Sequence, residues 1–177
     1  MKNEKVFVDN QTGYEVRVGA FCNQSNGAVW LKKGKTVVLA TVNREESSEF
    51  PGFFPLSVDY REQFAAAGKI PGGYMKREGK TSEREVLQGR IIDRSIRPIF
   101  PTNFFDKIQL IVTVYSLDKD YMPTALALNA ASLALSISDI PFLEPVSGCE
   151  VCNGKEKWII NPTHSELSQS ESKLFVS

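Results

Sequence analysis

Residues 59–101 read DYREQFAAAGKIPGGYMKREGKTSEREVLQGRIIDRSIRPIFP, and three successive elements can be read from them. Asp59 and Tyr60 close a β-type run that begins at Phe53 (FFPLSVDY). Pro55 has no N–H to give to a ladder, so the start of that strand belongs at an edge or a bulge. Residues 61–81 then carry Gly68, Pro71, Gly72, Gly73 and Gly79, a long loop of the kind that is functional or mobile. Ser82 and Glu85 have the spacing of a capping box, in which each side chain satisfies a backbone N–H at a helix start. The spacing predicts a helix from about Glu83 to Arg97, which Pro98 and Pro101 stop.

Charge is concentrated in the same stretch. The whole chain balances 21 basic against 21 acidic residues, but residues 61–100 hold nine basic and five acidic ones. Arg90, Arg94 and Arg97 follow the i, i+4, i+7 spacing and fall within an arc of about 60° on a helix. Leu87, Ile91, Ile92 and Ile96 are read as the packed side. Forked guanidinium groups match phosphate oxygens in pairs. Lys76, Arg77 and Lys80 precede the helix start, where unpaired N–H groups and the helix dipole favour anions. Tyr74 stands in the same loop, able to stack on an unpaired base. Loop, helix start and stripe together point to polyphosphate or a nucleic-acid backbone. A plainer reading competes: a solvated face with Asp93 as local ion-pair partner, and Tyr74 as a packing residue.

Upstream, Lys5 to Val8, Tyr14 to Val18, Gly27 to Leu31 and Thr36 to Val42 have β patterns, punctuated by Asp9-Asn10, Asn26-Gly27 and Lys33-Gly34, which predicts an antiparallel meander. Downstream, Ile108 to Tyr115 reads as a strand, and Pro123 suits the first turn of an apolar helix to about Ser136. A hairpin around Asn153-Gly154 joins residues 148–152 to 157–160. Thr163 with Glu166 suggests another helix start, and Lys173 to Val176 resumes a strand. The sequence ends inside that strand pattern, which leads us to expect a fragment of a longer protein.

At 177 residues, with 42% apolar and 24% charged residues, the chain has the length and composition of one folded domain. A formal net charge of zero gives no overall field toward nucleic acid or membrane, so any such preference is local. The N-terminal apolar run is too short for a secretory signal, which favours an intracellular, cytoplasmic protein. Residues 121–138 carry no charge but include Pro123, Asn129 and several serines, so they read as a buried helix and not a membrane span. Cys149 and Cys152 form C-x-x-C without a second paired motif, and in a strand they would face opposite sides, so a metal or redox role is not expected. His164 reads as a surface neighbour of a helix cap, and Asp118 with Asp120 as a solvated turn. Gly79-Lys80-Thr81 looks like the end of a P-loop, but the required first glycine falls on Tyr74; Gly34-Lys35-Thr36 fails likewise at Val29.

Residues 59–101 closely resemble the stretch of polynucleotide phosphorylases that runs Y-x-E-x-x-x-A-A-G-x-I-P-G-x-F-F-R-R-E-G, then S-x-x-E, then R-L-I-D-R-P-I-R-P-L-F-P. The similarity continues through GAVWLKKGKTVVLATV (residues 27–42), NAASLALSISDIP (129–141) and Asn161-Pro162-Thr163. The resemblance implies an α+β fold, a ribonuclease PH-like core with mixed β-sheets and packed α-helices, with residues 1–177 as the first of two such cores. It implies a phosphate-dependent 3′-to-5′ exoribonuclease that releases nucleoside diphosphates from single-stranded RNA. It also implies a homotrimeric ring and work alongside RNA-degradation machinery. Inorganic phosphate is then co-substrate, and the phosphate-binding serines and the acidic residues for Mg2+ belong to the second core. By position, Tyr74, Met75, Lys76 and Arg77 match the F-F-R-R loop, and Arg90, Arg94 and Arg97 match the arginines of R-L-I-D-R-P-I-R. With Lys80 these are the expected RNA contacts. Met75, Lys76 and Asn23 depart from the family pattern, so stacking by the loop is expected to be weaker and the bidentate grip at position 76 lost. Two other readings stand beside this one: an assembly module whose arginines make only subunit salt bridges, and a P-loop-like nucleotide-binding domain.

Overall fold

The computed structural model describes residues 4–47, 51–74, 80–118, 120–154 and 157–177. Four strands, β1 (Lys5–Asp9), β2 (Tyr14–Val18), β3 (Gly27–Lys33) and β4 (Thr36–Glu45), form the expected antiparallel meander. Strand β6 (Lys107–Ser116) continues the sheet antiparallel to β4, and β5 (Leu56–Glu62) closes it parallel to β6. The order is therefore β1-β2-β3-β4-β6-β5, a mixed sheet. A second sheet, β8-β7-β9, pairs β7 (Cys149–Asn153) antiparallel with both β8 (Trp158–Ile160) and β9 (Lys173–Val176). Helices α1 (Glu83–Ile96), α2 (Thr124–Ser136) and α3 (His164–Gln169) complete the chain.

Period-two alternation puts one face of the large sheet into the core. Val29 and Leu31 of β3, Val38, Ala40 and Val42 of β4, and Ile108, Leu110, Val112 and Val114 of β6 are all buried. Helix α2 lies across β3, β4 and β6 with all but three of its thirteen residues buried, as its lack of charge required. No helix among the described residues is long and apolar enough to cross a membrane. Helix α1 lies over β5.

Several strands run one to three residues past their expected ends, and two boundaries move for a clear local reason. The fifth strand begins at Leu56 and not Phe53, because Leu56 N–H folds back to the Phe54 carbonyl and the Phe54 ring joins Phe100 at 4.7 Å and Phe104 at 5.8 Å. Helix α1 ends at Ile96, and Arg97–Ile99 tighten into a 3-10 turn because Pro98 has no N–H to continue an α-helix.

Candidate nucleic-acid interface

Helix α1 is built to present side chains. Ser82 Oγ accepts from Glu85 N–H at 3.2 Å, and Glu85 Oε2 accepts from Ser82 N–H at 2.7 Å, so the capping box forms as the spacing predicts. The same carboxylate goes further: Glu85 Oε1 accepts from Glu62 N–H at 2.9 Å, where β5 ends. One side chain thus ties together the two ends of the long loop. Burial alone would raise the Glu85 pKa, but these hydrogen bonds outweigh it and hold the carboxyl below its usual range.

Gly89, Ile92 and Ile96 form the packed face. At Gly89 an added Cβ would sit 3.3 Å from the Val58 carbonyl oxygen, so the helix seats close on β5. The sequence reading put Leu87 on this side, and the structure corrects it: Leu87 is exposed. The reason is angular, since Leu87 lies nine residues before Ile96, half a turn away, and seven before Arg94, nearly in line. The outward stripe is therefore mixed, with Val86 and Leu87 beside Arg90 and Arg94.

The three arginines divide. Arg90 and Arg94 are exposed, and no carboxylate among the described residues pairs with either. Arg97 is engaged instead. Its Nε and Nη2 hold Asp93 at 3.0 and 2.7 Å, its Nη1 donates to the Phe54 carbonyl at 2.9 Å and Nη2 to that of Leu56 at 3.2 Å, with the guanidinium over the Phe54 ring. Arg97 pins the end of α1 to the start of β5. Tyr74 and Lys80 are exposed, while Met75, Lys76 and Arg77 between them lie outside the described residues. At the end of β5, the buried Tyr60 hydroxyl donates to Glu62 Oε1 at 2.8 Å, and burial beside that carboxylate pushes its pKa up. Arg84 reaches Glu62 at 3.7 Å and the Met122 sulfur at 3.5 Å.

Other candidate residues go elsewhere. Cys149 and Cys152 point to opposite faces of β7, Cys22 is exposed, and all three are free thiols. Among the described residues no three His, Cys, Asp or Glu side chains come together as a cation would need. Lys80 lies eighteen residues beyond the end of β5 and Lys35 sits in the β3–β4 turn, so neither has the short strand–loop–helix setting of a P-loop. Asp118 Oδ1 accepts from Asp120 N–H within the turn before α2, and His164 opens α3 with its N–H on the Asp120 carbonyl. A cavity of about 570 Å3 opens between the β3–β4 turn, α2 and β7, walled by Tyr14, Tyr121 and Met122 and holding the buried Glu150. Glu150 pairs with Lys173 at 3.1 Å. No motif marks it, since its partner is in a different strand.

Comparison with known proteins shows the family and the fold. The family model described as 3′ exoribonuclease family, domain 1, matches residues 13–141. The polyribonucleotide nucleotidyltransferase of Sulfurihydrogenibium sp. (strain YO3AOP1) is 46% identical over 173 residues, 96% of this chain and 24% of its own length. That of Exiguobacterium sibiricum is 46% identical over 162 residues, 92% of this chain and 22% of its own. The chain thus spans about a quarter of the length of the curated relatives it matches. Among solved structures, rice (Oryza sativa) Rrp46 superposes with a TM-score of 0.70 at 16% identity, covering 92% of this chain and 71% of that one. The Archaeoglobus fulgidus exosome with RNA bound to the active site gives 0.60 at 19%, covering 92% and 70%. The fold is that of a ribonuclease PH-like core, α+β with mixed sheets and packed helices. With a family model spanning β2 to α2, and relatives nearly half identical along almost its whole length, the chain belongs to the 3′ exoribonuclease family, in the region of its domain 1.

Proposed function

We propose that this chain is the first ribonuclease PH-like core of a polyribonucleotide nucleotidyltransferase, and that it holds and guides single-stranded RNA. In this reading the parent enzyme is a cytoplasmic homotrimer that shortens RNA from its 3′ end with inorganic phosphate, releasing nucleoside diphosphates. The phosphorolytic centre and its Mg2+ belong to a second core. The observation that carries the reading is the pair Arg90 and Arg94, exposed and unmatched by any carboxylate among the described residues, on the helix that follows the lysine-bearing loop. Two exposed guanidinium groups about six ångströms apart along the axis, given a rise of about 1.5 Å per residue, suit successive phosphates of an extended strand. By their match to the family loop, Tyr74, Met75, Lys76 and Arg77 are, with Lys80, further RNA contacts in this reading. Arg97 contributes by fixing the helix that bears the other two.

A second reading has its own support: Val86 and Leu87 share the stripe, and apolar side chains among arginines are also what a subunit contact uses. Salt dependence separates the two. For single strands log K falls with log salt by about 0.7 per phosphate contact, so Arg90→Ala with Arg94→Ala flattens the slope by about 1.4. Titration of a labelled oligoribonucleotide at several salt concentrations measures it. An unchanged slope overturns RNA contact by these residues and favours assembly.

A further inference from the structure

At the far edge of the large sheet, away from α1, strand β1 reads Lys5-Val6-Phe7-Val8-Asp9 and pairs on one side only, with β2. All five residues are exposed, including Val6 (50%), Phe7 (57%) and Val8 (62%). Edge strands are ordinarily guarded by proline, a bulge, an inward charge or a covering loop. β1 has no proline, its register with β2 runs without a break from Lys5 opposite Val18 to Asp9 opposite Tyr14, and its two charges stand at its ends.

The order of those charges is informative. Antiparallel pairing of two copies about a two-fold axis at Phe7 sets Lys5 opposite Asp9 of the other copy, Val6 opposite Val8, and Phe7 opposite itself. Both ends of the strand then carry an opposite-charge pair. A shift of two residues in one direction leaves Lys5 opposite Phe7, and in the other leaves Asp9 opposite Phe7, so only the centred register matches the charges. The backbone agrees. The Asp9 carbonyl accepts from Gly13 N–H on the β2 side, so alternation turns the N–H and C=O groups of Val6 and Val8 toward the open edge. In the centred register Val6 and Val8 are the residues that exchange hydrogen bonds between copies, and Phe7 packs on Phe7 as a close, non-hydrogen-bonded pair. Asp9 also caps its own turn, with Oδ1 accepting from Gln11 N–H at 3.0 Å and Oδ2 from the Thr12 hydroxyl. A carboxylate has acceptor sites beyond these two, so Lys5 of a second copy can still reach it.

We infer that β1 is an interaction surface for a second copy of this chain, joining two six-stranded sheets edge to edge through the palindromic strand Lys5–Asp9. The contact is isologous, so each β1 strand takes one partner and no more. It is independent of the RNA-facing stripe on α1.

Sedimentation velocity of the full chain over a wide concentration range tests it. Wild type is expected to show a species of twice the unpaired mass. Lys5→Asp replaces both end attractions with repulsions and should weaken that association about tenfold or more, while Lys5→Asp with Asp9→Lys restores it with the charges exchanged. Should the double variant lose its fold by circular dichroism, Val8→Pro decides instead, because its N–H serves only the open edge. Dissociation in Val8→Pro supports the inference. No doubling in wild type, or doubling that persists unchanged in Lys5→Asp and Val8→Pro, overturns it.

Discussion

Helices α1 and α2 rest on the same sheet and are held there by different means. Helix α2 carries no charge, has no side-chain cap at its start, and buries nearly every residue against β3, β4 and β6. Helix α1 buries only Gly89, Ile92 and Ile96, and is fixed by polar clasps at each end: Glu85 to the Glu62 N–H, and Arg97 to Asp93 and the Phe54 and Leu56 carbonyls. The difference follows from what each face must do. A helix sealed by burial has no side to offer a partner, whereas one clasped at its ends keeps the side bearing Arg90 and Arg94 open. Packing should therefore dominate the energetics of α2, and a few directional contacts those of α1.

The sharpest way to break this contrast is at Gly27. It is the first residue of β3, and a Cβ there would lie 2.2 Å from the Ala134 carbonyl oxygen, with Ser138 Cβ and Val42 Cγ1 both at 3.1 Å. The obstacle is the α2 backbone, which cannot rotate away as a side chain can. Gly27→Ala should therefore cost about 3 kcal/mol or more, the upper end for overpacked sites. Urea denaturation followed by circular dichroism measures it. A loss below about 1 kcal/mol would mean that α2 moves freely on the sheet and is not sealed.

Gly27 also shows where sequence reading stops. Asn26-Gly27 reads as turn punctuation, and the strand beginning at Gly27 is where the β pattern puts it, yet the need for glycine comes from a carbonyl more than a hundred residues along the chain. What was legible was local: the period-two meander, the capping boxes at Ser82/Glu85 and Thr163/Glu166, and the apolar helix after Pro123. The basic helix was legible as a helix, but not the division of its arginines. Arg97 is taken by carbonyls 41 and 43 residues earlier, contacts that exist only once β5 lies parallel to β6. Leu87 was misplaced for a simpler reason, the wheel angle from Ile96, which the sequence does contain.

A smaller effect tests the clasp at the start of α1. Glu85 is held below the usual glutamate pKa in the folded protein, so its hydrogen bonds stabilise fully above the unfolded-state pKa and are lost as pH falls through the folded value. Glu85→Gln should lower stability by about 1 kcal/mol near neutral pH, a typical worth for a cap bond. That gap should narrow toward zero as the wild-type carboxylate is protonated. Parallel denaturant titrations of the two proteins from neutral to acidic pH measure it. A gap that stays constant would show that the carboxylate's charge plays no part in closing the loop.

The finest distinction lies at Gly89, the counterpart of Gly27 on α1. Here an added Cβ would meet the Val58 carbonyl oxygen at 3.3 Å and Tyr60 Cβ at 3.8 Å, a contact relieved by a shift of a few tenths of an ångström. Against that strain stands the helix preference for alanine over interior glycine, about 1 kcal/mol. The two oppose one another, so Gly89→Ala should remain within about 1 kcal/mol of wild type in the same urea assay. The clasps limit the relief, since a helix tied at Glu85 and Arg97 can tilt away from β5 only by straining one of them. If Gly89→Ala proved as costly as Gly27→Ala, α1 would be seated as rigidly as α2, and its open arginine face would owe nothing to the way its ends are held.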